Sequence, residues 1–218
     1  MAEQYFSAEP SSKDVRRTLN VTLRDHEARV EVSNGVFSGS RLDLGTSVLL
    51  RHAPELPEEG NFLDLGCGWG PIALAMAFES PNAKVWAVDV NERALDLTAA
   101  NAASNGCGNV HVTQVDESST PLPQDRQPKH ASALPADLTF DAIWSNPPIR
   151  VGKEVLHTLL MAWLPRLKPG AAAYLVVQKN LGSDSLIKWL AAQLGDGFAV
   201  GKYASSKGFR IIEVRHEV

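Results

Sequence analysis

Cysteine is nearly absent. Only Cys67 and Cys107 occur among 218 residues, too few for a disulfide framework or a cysteine-based zinc site. Long apolar runs are missing too: no stretch approaches the roughly 20 residues that a membrane-spanning helix needs. The opening MAEQYFSAEPSSKD has no basic flank followed by an apolar segment, so a secretory signal is not expected. The six histidines have no mutual spacing that suits a metal. These absences leave a metal-free protein, cytoplasmic and not membrane-bound, as the expectation.

What is present is ordinary for a globular chain, 44% hydrophobic and 21% charged, and long enough for one large domain or two small ones. The charge is unevenly placed. From Arg150 onward ten basic residues face five acids, a balance of +5, so the preceding part must carry −9 to give the overall −4. Such asymmetry suits a polyanion approaching the carboxyl-terminal part; an unevenly charged solvated surface would look the same.

After a polar leader, Arg17–Leu23 and Ala28–Ser33 read as strands around the charged turn Arg24–Glu27, a hairpin pattern. Gly35-Val36-Phe37-Ser38 follows, then a short helix over Leu42–His52. Residues 1–34 are therefore expected to form a leader with a hairpin, and 35–218 the main domain. From Asn61 strands and helices alternate. Strands are expected at Asn61–Leu65, Lys84–Asp89, Val110–Val115, Phe140–Trp144 and Ala171–Val177. Helices are expected at Pro71–Glu79, Glu92–Asn105, Glu154–Leu164 and Ser183–Leu194. Phe198–Tyr203 and Phe209–Arg215 close the chain as two consecutive strands. The pattern predicts a doubly wound α/β sheet, mostly parallel, with an antiparallel edge. Glu117–Leu138 interrupts it with Pro121, Pro123, Pro128 and Pro135, which neither a helix nor a central strand tolerates. It is expected to be a functional or mobile crossover, or else a disordered surface insertion.

Three sites carry chemistry. Leu63-Asp64-Leu65-Gly66-Cys67-Gly68-Trp69-Gly70 runs from a strand into glycines and a helix opened by Pro71, a good first-turn residue. Glycines there admit a ligand against bare backbone. The spacing is Gly-x-Gly-x-Gly rather than the dinucleotide Gly-x-Gly-x-x-Gly, and Asp64 would repel a pyrophosphate. A cofactor bearing an ammonium and a sulfonium suits this turn better. Second, Asp89 ends a buried strand about twenty residues later, where an acid accepts from ribose hydroxyls; capping of the next helix is the alternative. Asp116, ending the third strand, could meet an adenine amino group or cap its own loop. Third, Asn146-Pro147-Pro148 ends the fourth strand. Prolines lack N–H donors and leave carbonyls as acceptors, and the Asn amide oxygen adds another. A ring-conjugated amine is a poor nucleophile, and acceptors placed against its hydrogens would orient it toward a methyl donor. Cys67 has no nearby base, His111 lies inside a strand, and Trp69 covers either a cofactor edge or the following helix.

Together Asp-Leu-Gly-Cys-Gly-Trp-Gly, Asp89 and Ser-Asn-Pro-Pro resemble the class I S-adenosylmethionine-dependent methyltransferases that modify amino nitrogens. Gly35-Val36-Phe37-Ser38 and Leu42-Asp43-Leu44-Gly45-Thr46 resemble, more narrowly, the RsmC-like branch, the methyltransferase small domain family, whose members methylate guanine N2 in ribosomal RNA. The resemblance spans about Gly35 to the end. It implies a seven-stranded sheet with an antiparallel last strand, S-adenosylmethionine as cofactor, and RNA, ribosomal RNA or a ribosomal subunit, as partner. It puts Asp64, Gly66, Cys67, Gly68, Asp89, Val90, Asp116 and Asn146 at the cofactor and Asn146 and Pro147 in catalysis. Phe37, Asp43 and Thr46 match the upstream segment, which in relatives lies near the pocket. Two departures stand out. Many members carry an aromatic after the two prolines where this chain has Ile149, and the RsmC type carries two related domains where one is expected here. Substrate contacts would then come from Pro148, Ile149, Arg150, Lys153, Lys179, Lys207 and Arg210. The open alternatives are a protein glutamine or small amine as acceptor, or a non-catalytic cofactor-binding module in ribosome assembly.

Overall fold

The computed structural model describes residues 13–218; residues 1–12 of the expected leader lie outside the described residues. Strands β1 (Arg16–Leu23) and β2 (His26–Ser33) pair antiparallel around Arg24-Asp25. Both turn residues take positive φ, 46° and 68°, the backbone twist a two-residue hairpin needs. Period-two alternation along β2 buries Ala28, Val30 and Val32 and exposes Glu27, Arg29 and Glu31. Helix α1 (Leu44–His52) follows. Its start differs from the expected Leu42, because Asp43 has extended φ/ψ and caps the helix by accepting from Thr46 N–H. Asp is among the strongest N-cap residues.

The main repeat then gives β3 (Asn61–Leu65), α2 (Pro71–Glu79), β4 (Lys84–Asp89), α3 (Glu92–Ser104), β5 (Val110–Gln114), β6 (Phe140–Ser145), α4 (Lys153–Trp163), β7 (Leu167–Gln178), α5 (Ser183–Leu194), β8 (Phe198–Ser206) and β9 (Phe209–His216). The sheet has seven strands in the order β5-β4-β3-β6-β7-β9-β8. Pairings from β5 through β7 are parallel, and β9 runs antiparallel between β7 and β8. The doubly wound fold with an antiparallel last strand is therefore the one expected. Succession reverses direction between β3 and β6, and the crevice at the carboxyl ends of such a pair is where α/β sheets bind ligands.

Alternation along the strands divides the core in two. Phe62, Val85, Ala87 and Trp144 face α1, α2, α3 and the hairpin. Leu63, Leu65, Ile143, Leu175 and Ile212 face α4 and α5. Asp64, between Leu63 and Leu65, is thereby turned toward α2. Helix α2 is buried from Pro71 through Ala77, as expected of a helix apolar on all sides, because the sheet, α3 and β1 all contact it. The outer edge of β2 is sealed by two asparagines one turn apart, Asn101 on α3 and Asn105 at its carboxyl-terminal cap. Asn101 accepts from Glu31 N–H at 2.7 Å and donates to Glu31 O at 2.9 Å. Asn105 does the same for Arg29 at 3.2 and 2.9 Å. These side chains continue the ladder where an open strand edge would invite pairing.

The proline-rich stretch is not a disordered insertion; it straps the edge strand β5. Ser132 N–H donates to Val112 O and Leu122 N–H to Gln114 O, both at 2.9 Å. The Gln127 amide both accepts from Gln114 N–H (2.8 Å) and donates to Gln114 O (3.1 Å). Ala131 and Leu134 are buried. Proline rules out regular structure without ruling out packing, which is why composition alone misleads here. No described helix is long and apolar enough to cross a membrane.

Candidate active site

Strand β3 delivers the chain into Gly66–Gly70, where Gly66, Gly68 and Gly70 have φ of 78°, 57° and 89°. Their tasks differ. A Cβ on Gly66 would meet nothing within 4 Å, and one on Gly68 only Phe37 O and a Val36 methyl at 4.0 Å, so bare backbone faces open space. A Cβ on Gly70 would lie 2.9 Å from Thr98; that glycine lets α2 and α3 approach. The turn is anchored across the sheet: Gly66 and Cys67 N–H both donate to Val88 O, at 2.9 and 3.1 Å. Asp89 holds it from the next strand, Oδ2 accepting from Gly68 N–H and Oδ1 from Asn91 N–H, each at 3.0 Å.

Two carboxyls lie beneath and beside this turn. Asp64 is 0% exposed; its Oδ2 caps α2 by accepting from Ala73 N–H at 2.9 Å, while its Oδ1 has no hydrogen-bond partner. Burial, opposed by the Ala73 N–H and reinforced by the nearby Asp89 charge, pushes its pKa up to about 8. Burial likewise lifts Asp89 to about 6 against the N–H groups of Asn91, Gly68 and Val90. The ionised forms lack a neighbouring cation, since no ion pair among the described residues involves either group. Burial also drives the Cys67 thiol well above its usual range, which leaves it a protonated wall atom rather than a nucleophile.

Strand β6 brings Asn146 to the same edge. Ser145 is 0% exposed and donates to Leu65 O at 2.6 Å, tying the ends of β3 and β6 together. Asn146 Nδ2 donates to Asp43 Oδ2 at 2.8 Å and to Thr46 Oγ1 at 3.0 Å. Pro147 O accepts from Ile149 N–H at 2.8 Å, a tight turn centred on Pro148 (φ −75°, ψ 70°), so one of its two lone pairs is engaged. Phe37, Asp43, Thr46, Gly66, Gly68 and Asn146 line a solvent-open cleft.

Apart from Trp69, the remaining expected residues are not among those that line this cleft. Val90 is half-buried, and its carbonyl accepts from Gln114 Nε2 at 3.0 Å. Asp116 is exposed and closes its own loop: Oδ1 accepts from Ser118 N–H (2.9 Å), Ser118 Oγ (2.6 Å) and Thr120 N–H (2.9 Å). Trp69 is 1% exposed, packed in the core and contributing to the cleft wall. Ile149 packs against the α4/α5 core cluster. Arg150, Lys179 and Lys207 are exposed, and Lys179 N–H donates to Gly208 O at 2.9 Å, which joins the end of β7 to the β8–β9 turn. Arg210 is different: its side chain is 17% exposed and ion-paired with Asp184. No group of three or more histidine, cysteine or acidic residues suited to a metal occurs among the described residues.

Sequence reasoning left several contributors without a role. Asn91 caps α3 and donates from Nδ2 to Gly35 O at 2.9 Å, which ties the upstream segment down beside the glycine turn. Asn101 Nδ2 also donates to Trp69 O at 2.9 Å. The signal for both was available as Asn at helix-cap and sheet-edge positions, but their partners are far away in sequence.

The sequence model of the methyltransferase small domain matches residues 27–213. The chain is 34% identical over 215 residues to a Bacillus subtilis (strain 168) protein named "Uncharacterized protein YbxB", covering 99% of both. It is 30% identical over 174 residues to the ribosomal RNA small subunit methyltransferase C of Shewanella sediminis (strain HAW-EB3), covering 77% of this chain and 46% of that relative. The chain thus spans about half the length of such relatives. Among solved structures, the T. thermophilus 16S rRNA N2 G1207 methyltransferase (RsmC), in complex with AdoMet and guanosine, has the same fold. It superposes with a TM-score of 0.69 at 20% identity, over 96% of this chain and 52% of that one.

Proposed function

The chain belongs to the methyltransferase small domain family, and from that premise we propose that it methylates the exocyclic amino group of a guanine in ribosomal RNA. The cofactor in this reading is S-adenosylmethionine. The residues fit it on two counts. Gly66 and Gly68 leave open space against bare backbone, and the buried Asp64 and half-buried Asp89 form an acidic pair with raised pKa values, which a cationic ligand would relieve. When bound, S-adenosylmethionine supplies an electrophilic methyl group on a sulfonium, open to attack by an amino lone pair. Asp89 retains lone pairs for ribose hydroxyls beyond those engaged by Gly68 and Asn91, with Val90 and Asp116 flanking the adenine side.

The observation that carries the reading is Asn146. With Nδ2 committed to Asp43 and Thr46, its Oδ1 is the atom left to accept a hydrogen from a substrate amine. Pro147 O supplies a second acceptor through its remaining lone pair. Such acceptors orient the nitrogen and stabilise the positive charge that grows on it during methylation. The surplus proton leaves after the N–C bond forms, to water or by way of these carbonyls, so no general base is required. Arg150, Lys179 and Lys207 offer exposed cations for the phosphate backbone in a cytoplasmic RNA complex, with Pro148 and Ile149 beside the base. Arg210, ion-paired with Asp184, is less available to a phosphate than these three.

Asn146→Ala tests the amine-positioning step. Turnover is expected to fall on the order of a hundredfold or more while the cofactor dissociation constant stays within about twofold. Intact turnover would refute the mechanism. With Ile149 where many relatives carry an aromatic residue, the platform that stacks a target base is missing, and this keeps a protein glutamine or small amine as the second reading.

A further inference from the structure

We infer that Asp43 and Thr46 are positioning residues that fix which atom of the Asn146 amide faces the substrate. The inference rests on the amine-methylation reading for its consequence, but its geometry stands alone. A primary amide can sit either way round, with oxygen and nitrogen exchanged. Asp43 Oδ2 already acts as an acceptor, taking Thr46 N–H at 3.0 Å, and the amide edge that lies 2.8 Å from it is the donating nitrogen. Thr46 Oγ1, 3.0 Å away, takes the second hydrogen. Both donors are thereby spent, and Oδ1 is held outward as an acceptor. The reverse orientation would set oxygen against carboxylate and leave two donors aimed at an amine whose lone pair is needed for the methyl group.

The same few residues explain why Leu42-Asp43-Leu44-Gly45-Thr46 is built as it is. Asp43 Oδ2 also accepts from Thr46 N–H at 3.0 Å, so the cap of α1 holds the carboxylate at the point where Asn146 meets it. A Cβ on Gly45 would lie 2.9 Å from both Asp43 Oδ2 and the Phe209 ring. Glycine is needed there to admit the carboxylate on one side and strand β9 on the other. Thr46 is 3% exposed, which locks its hydroxyl beside the amide. A helix start a hundred residues upstream thus determines the polarity of the acceptor at the end of β6.

The test uses Asp43→Ala, Asp43→Asn and Thr46→Val in the full chain. Asp43→Asn keeps an oxygen at the shared point, and Thr46→Val keeps the helix cap, so it remains informative where Asp43→Ala folds poorly. In ¹⁵N-labelled protein the Asn146 side-chain resonances, assigned by their loss in Asn146→Ala, should show both protons hydrogen-bonded. Asp43→Ala and Thr46→Val should each release one. With ribosomal RNA from a strain lacking the gene as acceptor, single-turnover rates should fall roughly 30- to 100-fold for Asp43→Ala and about tenfold for Thr46→Val. S-adenosylhomocysteine affinity should stay within twofold, and Asp43→Asn within threefold of wild type in rate. Unchanged amide resonances overturn the inference, as does a rate for Asp43→Ala within threefold of wild type or an Asp43→Asn defect equal to that of Asp43→Ala. If the wild-type protein labels no RNA, the methylation reading fails, and the resonances alone still decide whether Asp43 and Thr46 set the amide.

Discussion

At the end of β3 the glycine turn is held by several backbone and side-chain bonds from β4 and α3, among them Thr98 Oγ1 to Gly68 O and Asn101 Nδ2 to Trp69 O. Val88 O takes two of its N–H groups and Asp89 a third, and these partners lie on the strand next door. At the end of β6, Asn146 is held by two side chains 103 and 100 residues away in sequence. The first arrangement gives a smooth, open surface that tolerates a large ligand; the second gives one atom with one orientation. A site that must bind a cofactor and also aim a nucleophile uses both. The difference means that damage to the turn should appear in binding, and damage to the clamp in turnover.

The largest break in that comparison is expected from Gly66→Val. It combines a side chain at φ 78° with atoms in space that is otherwise open. Cofactor affinity measured by calorimetry should drop by a hundredfold or more, with a loss of about 1–3 kcal/mol in stability. Retained affinity would show that the ligand does not lie against this turn. Asp89→Ala should weaken cofactor binding about tenfold, the effect of roughly one net hydrogen bond, with little change in rate at saturation. Because the Asp89 carboxyl titrates near 6, wild-type affinity should also decline as pH falls below about 6, and the Asp89→Ala profile should be flat.

Asp64 makes a smaller prediction of a different kind. Its folded pKa of about 8 lies above the ordinary 3.8, so between those values the folded protein holds a proton that the unfolded chain has lost. The stabilisation is fully present below about pH 4 and is lost as pH rises toward 8. Thermal unfolding at pH 6 and pH 8 should show a fall for the wild type and a flatter response for Asp64→Asn, which preserves the bond from Ala73. Parallel curves would mean that Asp64 is ionised in the folded state. Smallest of all, Lys179→Ala with Lys207→Ala should weaken RNA binding several-fold and lower the salt dependence by about two phosphate contacts' worth; an unchanged slope would move the RNA elsewhere.

Much of this molecule is legible from residue order. The strands of the main sheet and the helices packed on it announce themselves through apolar runs, period-two alternation or helical spacing; β3, β4 and α2, buried on all sides, read as near-continuous apolar runs. Boundaries slipped where pairing overrides local signals. Strand β7 starts at Leu167 rather than Ala171 because Leu167 pairs with Phe140 across a bulge, despite Pro169 and Gly170. Strand β8 runs past Tyr203 through an irregularity of register against β9. The glycine turn and Asp89 could be read as a ligand site because the fold brings adjacent strand ends together. The clamp on Asn146 could not: nothing local to Asp43 or Thr46 names a partner a hundred residues on. Nor could the packing of the proline-rich strap, whose backbone is satisfied by the edge of β5 rather than by itself.

The account stands most directly on where the methyl group goes. The purified chain should be incubated with methyl-labelled S-adenosylmethionine and with separate RNA and protein fractions from cells lacking the gene, and the labelled RNA digested to nucleosides. The prediction is label in ribosomal RNA as N2-methylguanosine, abolished by Asn146→Ala. Label confined to the protein fraction, or to a nucleoside methylated elsewhere than on an exocyclic amine, would contradict it.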